Sequence, residues 1–310
     1  MRDLDELLAH EARRAGIPGA ALVAWRDSHR YTAAFGVTSV EQPAPVTVDT
    51  PFRIGSTTKP LTTAAILALA DDKVLDLDEP LPWGMTLRQL LSHTGGLPAD
   101  PITPSNLYGP TAPDALRLWA GQPPALVSPP GQRWCYSNPG FALAAHAAEL
   151  ATGASIADLV DRHVLRPLGM RHTSWRLTDA ITWTPAQCHV GDPPAVQRPA
   201  FDNAVYAAAG FAYSSASDLA RFLTRVPEAM TVRHADTVDQ ELDGYGLGLY
   251  VGSRAGIARF GHPGGIQGSG CQLQATSDGL AGVALVYNLQ PPGGWPFAAS
   301  VLDAFLEASK

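Results

Sequence analysis

The stretch FRIGSTTK, residues 52–59, places a serine, Ser56, three positions before a lysine, Lys59. The apolar residues that follow recur at helical spacing and predict a mostly buried helix over residues 56–69. Pro60 would fall in its first turn, where proline is tolerated. Since residues three apart share one helix face, the Ser56 hydroxyl and the Lys59 amine are predicted to lie within reach of each other.

A serine and a lysine placed in this way have the chemistry of an activated nucleophile. A neutral Lys59 amine can take the proton of the Ser56 hydroxyl, and burial together with the helix dipole would lower the pKa of Lys59. In the alternative interpretation, Ser56 is a helix N-cap and Lys59 is solvated. Two observations favour the nucleophile. Lysine occurs only at residues 59, 73 and 310, against 19 arginines, and the helix behind Lys59 is too apolar for a solvated position.

The composition is that of a globular protein. The chain has 310 residues, 45% of them hydrophobic and 16% charged, which suffices for one large domain or two packed ones. The formal net charge of -7 argues against a nucleic-acid-binding protein, which needs a basic face. No apolar run approaches the roughly 18 residues of a membrane span, and the charged N-terminus lacks the apolar core of a signal peptide. We therefore expect a cytoplasmic protein that binds neither nucleic acid nor membrane.

Neither a metal nor a cofactor is expected. The nine histidines are scattered, the three cysteines are widely spaced, and no H-x-x-E-H or C-x-x-C spacing occurs. The glycines at 244–248 lack the full G-x-G-x-x-G and precede a strand-like run, so they do not form a nucleotide loop. No G-x-S-x-G occurs, which excludes the nucleophile elbow of an α/β-hydrolase.

Strand-like and helix-like stretches are unevenly distributed along the chain. A hairpin is predicted over residues 18–40, turning at Asp27 and Ser28, and strand-like runs return only near the C-terminal end. The later predicted strands cover 245–251, 257–260, 271–275 and 281–288. The later predicted helices cover 87–92, 113–120, 140–152, 155–164 and 296–308. This distribution indicates a discontinuous α/β domain, residues 1–80 and 205–310, interrupted by a helical subdomain over 81–204.

A second candidate element lies in PGQRWCYSNPGF, residues 130–141. Tyr136, if it lies close to Lys59, can carry a proton to a leaving group, and Asn138 can orient either Lys59 or a substrate amide. The alternative is that Tyr136 is a core residue whose hydroxyl is satisfied by a neighbour.

A third candidate element is FGHPGG, residues 260–265, between two strand-like runs. Its glycines would let a strand edge approach a ligand closely and would offer backbone N–H groups. The alternative is a glycine-rich hairpin turn that carries His262 on the surface.

Together, the three elements resemble the serine β-lactamase and penicillin-binding-protein superfamily, most closely its class C β-lactamase-like branch of esterases, D-aminopeptidases and acyltransferases. The S-x-x-K pattern matches residues 56–59. The Y-x-N pattern matches residues 136–138, and residues 262–264 match the third element, which is K-T-G in β-lactamases and often H-x-G in the branch. Flanking stretches such as LLSHTGGLP and RPLGMRHTSW occur in the same order, so the resemblance spans about residues 50–265.

The resemblance implies an α/β (α+β) fold: an antiparallel sheet flanked by helices, with an inserted all-helical subdomain and the active site between the two. It also implies an acyl-enzyme mechanism in which Ser56 attacks a carbonyl while Lys59 and Tyr136 carry protons. The backbone N–H groups of Ser56 and Gly265 would form the oxyanion hole, worth about 3–4 kcal/mol per donor. The residues that would bind or orient the substrate are Asn138, His262 and Gly264.

The departures from β-lactamases concern the substrate. His262 and Pro263 stand where the family's Lys and Thr hold a substrate carboxylate. Proline has neither a hydroxyl nor an N–H, and histidine is at most partly charged at neutral pH. Recognition of a carboxylate should therefore be weaker, unless Arg53 or Arg133 compensates.

We accordingly expect a serine hydrolase or transacylase that acts on an ester or amide of a small molecule or modified peptide, with a biosynthetic role left open. One alternative is a β-lactamase or a D-amino-acid-specific peptidase. Another is an inactive binding protein of the same fold, since a fold alone does not fix a function. The sequence leaves the acyl donor, the acceptor and the oligomeric state undetermined.

Overall fold

The computed structural model describes residues 4–99, 125–197, 207–237, 241–291 and 294–307. Its strands are β1 Gly19–Arg26, β2 His29–Gly36, β3 Phe52–Arg53, β4 Cys188–Val190, β5 Ala195–Gln197, β6 Tyr213–Ser214, β7 Ala235–Asp236, β8 Gly244–Tyr245, β9 Tyr250–Arg254, β10 Ile257–Ile266, β11 Ser269–Thr276 and β12 Ala281–Tyr287. Eight of them form one antiparallel sheet in the order β2-β1-β12-β11-β10-β9-β8-β7. The chain thus pairs its N-terminal hairpin with its C-terminal strands.

The helices described lie at both ends of the chain and between the strands. They are α1 Leu4–Arg14, α2 Thr58–Asp71, α3 Leu87–Leu91, α4 Asn138–Thr152, α5 Ile156–Val160, α6 Arg166–Leu168, α7 Leu177–Ala180, α8 Ala207–Gly210, α9 Ala216–Leu223, α10 Glu228–Thr231 and α11 Phe297–Glu307. A 3₁₀ turn, Gly55–Thr57, joins β3 to α2, a π-helical turn, Asp161–Leu165, joins α5 to α6, and a second 3₁₀ turn, Ile181–Trp183, follows α7.

The first hairpin shows why the sheet is covered on both faces. β1 and β2 pair in register from Gly19 with Gly36 to Arg26 with His29, so the two-residue turn at Asp27 and Ser28 lies where the sequence predicts it. The side chains of β1 alternate between two cores. Ala21, Val23 and Trp25 join the cluster that contains α2 and α9, whereas Ala20, Leu22 and Ala24 join the cluster of α1 and α11. A strand buried on both faces reads as a continuous apolar run, as GAALVAWR does.

The segment before the candidate nucleophile is anchored outside the main sheet. β3 pairs with β6, Phe52 opposite Ser214 and Arg53 opposite Tyr213. Phe52 and Ile54 are fully buried, and they fix the chain where it enters the 3₁₀ turn Gly55–Thr57 and then α2. Most of α2 is buried as well, which agrees with the predicted apolar helix. These anchors hold Ser56 beside β10.

Two sequence expectations about the strands need correction. The strand-like run at 257–260 continues as β10 to Ile266, so the third candidate element lies within a strand and is not a hairpin turn. Pro263 is tolerated there because β9 pairs with β10 only up to Gly261. Beyond that residue β10 has no strand partner on the β9 side that would need a backbone N–H. The predicted strand 245–251 is divided into β8 and β9, which pair with each other.

The middle of the chain contains a short hairpin that the sequence did not predict. β4 and β5 pair between residues 188 and 197, and His189 forms a bridge to Leu289 beyond β12. Each strand has only three residues, too few for a clear alternating pattern. The predicted helices at 87–92, 140–152 and 296–308 match α3, α4 and α11 within two residues, while the predicted helix 113–120 lies outside the described residues. The division into domains 1–80 with 205–310 and 81–204 stays a prediction.

Candidate active site

Ser56 occupies the 3₁₀ turn that leads into α2 and is half-buried. The turn depends on Gly55, whose φ of 52° lies in the left-handed region. A Cβ on Gly55 would lie 2.6–2.7 Å from the backbone O, C and N of Gly265. The nucleophile candidate and the oxyanion-hole candidate are therefore held against each other, backbone to backbone.

The Lys59 amine is fully buried and is surrounded by three oxygens. Its Nζ lies 3.1 Å from Ser56 Oγ, 2.8 Å from Asn138 Oδ1 and 2.8 Å from the carbonyl oxygen of Ala209. The amide and carbonyl oxygens can only accept, so they fix two of the amine's N–H groups. A neutral amine has only two, and its lone pair would then point at the Ser56 hydroxyl. The arrangement suits removal of the Ser56 proton.

Tyr136 lies against the same pair. Its hydroxyl is hydrogen-bonded to Ser56, and the Lys59 Nζ lies 4.6 Å from the centre of its ring. Burial raises the pKa of Tyr136 well above its usual value, and the hydrogen bond to Ser56 offsets this only in part. The phenol is therefore protonated at neutral pH. A protonated phenol can donate a proton but cannot accept one from Ser56, so the role of Lys59 as the base stays the prediction that fits this geometry.

Asn138 is the first residue of α4, and its position follows from the local sequence. The Ser137 side chain caps the helix by accepting from the Gly140 N–H at 3.2 Å, and Pro139 occupies the first turn. Its Oδ1 accepts from the Lys59 amine, which is the contact needed to orient Lys59, and both predicted roles of Asn138 stay predictions.

His262 is buried on β10 in a single neutral tautomer. Its Nδ1 lies 2.6 Å from the carbonyl oxygen of Pro263, so Nδ1 carries the proton, and Nε2 accepts from the Tyr245 hydroxyl at 3.1 Å. Burial is the main cause that lowers the pKa of His262 to about 3. The third element therefore presents no positive charge at neutral pH, which strengthens the expectation of weak carboxylate recognition.

The neutral state of His262 predicts a loss of stability in acid. An unfolded histidine has a pKa of about 6.5, so between about pH 6.5 and pH 3 the unfolded chain binds a proton that the folded chain excludes. As the pH falls through this range, His262 should lower the free energy of unfolding by up to about 1.4 kcal/mol per pH unit. Its stabilising contribution is fully present only above about pH 6.5. Urea denaturation at pH 7 and pH 5 measures the difference.

The control is a comparison of two histidine substitutions. His262→Gln should reduce the pH dependence by about one proton, whereas His10→Gln, at an exposed position, should leave it unchanged. Burial raises the pKa of Asp218, so this carboxyl makes the folded state more stable as the pH falls, opposite to His262. Its effect is the same in the wild type and in both variants, and it cancels in the comparison. An unaltered slope in His262→Gln would contradict the neutral assignment.

Gly264 and Gly265 bring β10 to the nucleophile turn. A Cβ on Gly264 would collide with the carbonyl oxygen of Ile54 and lie 2.5 Å from Thr57 Oγ1. Gly264 therefore provides space for close packing, and the structure gives no separate sign of the substrate-orienting role that the resemblance implies. Gly265 lies beside Gly55, the residue before Ser56, and its function in an oxyanion hole stays a prediction.

The two arginines considered as carboxylate partners are differently placed. Arg133 is exposed. Arg53 is only 4% exposed, and its guanidinium packs over the rings of Phe211 and Tyr213 at 4.9 and 5.6 Å. Its Nε and Nη2 are buried without a hydrogen-bond partner among the described residues. A substrate carboxylate cannot reach that edge of the guanidinium without rearrangement.

Three groups at the site were missed from the sequence. The Ala209 carbonyl leaves no side-chain signal, and Tyr245 belongs to a short strand far along the chain. His93 packs on the Tyr136 ring, with ring centres 4.3 Å apart. It lies within LLSHTGGLP, a stretch that pointed to the family but not to a role for this histidine.

Within the described residues, no helix combines the length and the apolar character needed to cross a bilayer. The same residues include no group of three or more His, Cys, Asp or Glu placed to hold a metal ion.

A family model described as Beta-lactamase matches residues 4–304, nearly the whole chain. The chain belongs to the Beta-lactamase family. The resemblance and the fold class expected from the sequence are thereby confirmed, and homologues with this fold are serine hydrolases.

Among the solved structures that match most of the chain are SurE and a D-stereospecific amidohydrolase. SurE is 30% identical, with a TM-score of 0.77 over 92% of this chain and 71% of its own, and another structure of SurE contains D-Leu. A D-stereospecific amidohydrolase from Streptomyces sp. is 26% identical, with a TM-score of 0.72 over 93% of this chain and 94% of its own.

Among curated proteins, an unguisins hydrolase of Aspergillus violaceofuscus (strain CBS 115571) is 26% identical over 247 residues, which are 69% of this chain and 43% of the relative. This chain spans less than half the length of the curated relatives it matches first.

Proposed function

We propose that this protein is a serine hydrolase or acyltransferase that forms an acyl-enzyme at Ser56 with an ester or amide substrate. The observation that carries the proposal is the arrangement around the Lys59 amine. Asn138 Oδ1 and the Ala209 carbonyl can only accept hydrogen bonds, so they take the two N–H groups of a neutral amine. The lone pair of that amine is then directed at Ser56 Oγ, 3.1 Å away.

The proposed steps conserve protons throughout. Lys59 takes the Ser56 proton as Oγ attacks the substrate carbonyl, and the backbone N–H groups of Ser56 and Gly265 stabilise the oxyanion. The protonated Tyr136 phenol, hydrogen-bonded to Ser56, gives its proton to the leaving alcohol or amine as the scissile bond breaks, and it regains one from Lys59. Water, or an acceptor alcohol or amine, then discharges the acyl group by the reverse proton movements.

The substrate class follows from the charge at the third element. His262 is neutral, Pro263 has no donor, and the Nε and Nη2 of Arg53 are buried. We therefore propose substrates without a carboxylate beside the scissile bond, such as esters or amides of a small molecule or a modified peptide.

A second candidate is an amidase or peptidase specific for a D-amino acid residue. The names of two similar proteins favour it: one is a D-stereospecific amidohydrolase, and SurE has been crystallised with D-Leu. The two candidates share the nucleophile and the base, and they differ only in what the acyl half must contain.

The test begins with the acyl-enzyme. Incubation with p-nitrophenyl acetate should give a burst of nitrophenol and a mass increase of one acetyl group at Ser56. Ser56→Ala should abolish both, whereas Ser253→Ala, at an exposed position on β9, should leave both unchanged. Full turnover by Ser56→Ala would refute the proposal. Absence of any adduct in the wild-type protein would favour an inactive binding protein.

A panel of substrates separates the candidates. Matched D- and L-amino acid amides should be hydrolysed equally slowly relative to simple esters if the first candidate holds. A preference of at least about tenfold for the D-amides would establish the second. Rapid hydrolysis of nitrocefin, a β-lactam that carries a carboxylate, would contradict the proposed substrate class.

A further inference from the structure

His93 is a buried histidine that has no part in the proposed proton transfers. It follows α3 in a tight turn, is 2% exposed, and has a φ of 59°. Histidine is one of the few side chains enriched in this left-handed region. The turn is closed by hydrogen bonds from the His93 N–H to the Leu90 carbonyl and from the Thr94 N–H to the Gln89 carbonyl, at 3.2 and 2.8 Å. The imidazole is thereby directed into the site.

His93 contacts three successive residues of the Y-x-N element. Its carbonyl oxygen accepts from the Cys135 N–H at 2.8 Å, and its Nδ1 accepts from the Ser137 N–H at 3.0 Å. Its ring packs on the intervening Tyr136 ring at 4.3 Å. The backbone on both sides of Tyr136 is thus tied to a single residue, which fixes the direction in which the phenol points.

The tautomer of His93 follows from these contacts. Because Nδ1 accepts a hydrogen bond, the proton of the neutral ring is on Nε2. Nε2 is buried without a hydrogen-bond partner among the described residues, an arrangement that costs free energy. An apolar side chain would fill the same space without that cost. What an apolar side chain lacks is the acceptor for the Ser137 N–H.

We propose that His93 is a positioning residue whose Nδ1 holds the backbone at Ser137, so that the Tyr136 phenol stays within hydrogen-bond reach of Ser56. This inference rests on the proposed function, in which Tyr136 gives its proton to the leaving group. His93 does not touch the substrate carbonyl, and it acts through Tyr136.

Two substitutions separate the acceptor from the ring. His93→Asn tolerates the left-handed backbone and keeps an acceptor one bond beyond Cγ, whereas His93→Phe keeps an aromatic ring and has no acceptor. With rates normalised to titrated active sites, kcat should stay within about threefold of wild type in His93→Asn and fall about thirtyfold in His93→Phe. KM should change less than about threefold in both. Equal losses of kcat in the two variants would overturn the proposal. So would an effect seen only in KM, or only in the fraction of molecules with a titratable active site.

A double mutant tests whether His93 acts through Tyr136. In a Tyr136→Phe background, His93→Phe should lower kcat no further, because the group it positions is already gone. Multiplied losses would show that His93 acts elsewhere.

The tautomer can be measured without any variant, which keeps the inference testable if His93→Phe does not fold. In ¹⁵N-histidine-labelled wild-type protein, His93 should be neutral with its proton on Nε2 at pH 7, opposite to His262. A proton on Nδ1 would overturn the proposal. The wild-type burst and Ser56→Ala decide the proposed function separately, so the two failures are distinguishable.

Discussion

Replacing Lys59 should lower kcat/KM about a thousandfold, or about 4 kcal/mol of transition-state stabilisation. Lys59→Met removes the proposed base, and the Tyr136 phenol beside Ser56 is protonated and cannot take the Ser56 proton in its place. Lys59→Arg should lose as much, because an arginine stays protonated and cannot act as a base. The measurement is the second-order rate constant of acylation by p-nitrophenyl acetate, together with labelling of Ser56 by a fluorophosphonate.

The matched control is Lys73, an exposed lysine that follows α2. Lys73→Met and Lys73→Arg should acylate at the wild-type rate. Since Lys59 also satisfies the Asn138 and Ala209 oxygens, both Lys59 variants require a thermal unfolding scan. A folded Lys59→Met that acylates within tenfold of wild type would rule out Lys59 as the base.

The parts of the site that could be predicted are those set by local geometry. Ser56 and Lys59 are three residues apart at a helix start, so their proximity follows from helix periodicity alone. Tyr136, Asn138 and His262 come from distant segments, and only the resemblance to a known family placed them together. The structure brings all five side chains into one cluster, with Nζ of Lys59 in contact with Ser56, Asn138 and the Tyr136 ring.

The parts that could not be predicted depend on tertiary packing. The role of His93 requires a peptide N–H 44 positions away in the chain, and no local pattern indicates that partner. The strand predicted over 257–260 stops short of Pro263, and β10 continues through this proline because its pairing with β9 extends only to Gly261. The central strands of the main sheet were easier to predict, since β1 and β12 are apolar runs of the kind that is buried on both faces.

Gly264→Ala should reduce both stability and activity, because β10 is packed directly on the turn that carries Ser56. The added methyl group would collide with the Ile54 carbonyl and lie 2.9 Å from the backbone nitrogen of Thr57. Neither is the end of a flexible side chain, so the strand itself must move. We expect the free energy of unfolding to fall by about 3 kcal/mol. We also expect kcat of the folded protein to fall at least about a hundredfold, since a shift of about 1 Å in Gly265 would misplace the oxyanion donor.

Gly140→Ala provides the matched control for this substitution. Gly140 also lies close to the site, in the first turn of α4, but the nearest atom to its added Cβ is the Leu90 carbonyl oxygen at 3.5 Å, an ordinary contact. Because alanine is favoured over glycine in a helix, stability should be unchanged or higher by about 0.5–1 kcal/mol, with wild-type turnover. Urea denaturation and the p-nitrophenyl acetate rate measure both effects. If Gly264→Ala behaved like Gly140→Ala, close packing of β10 on the nucleophile turn could not be what aligns Ser56 with Gly265.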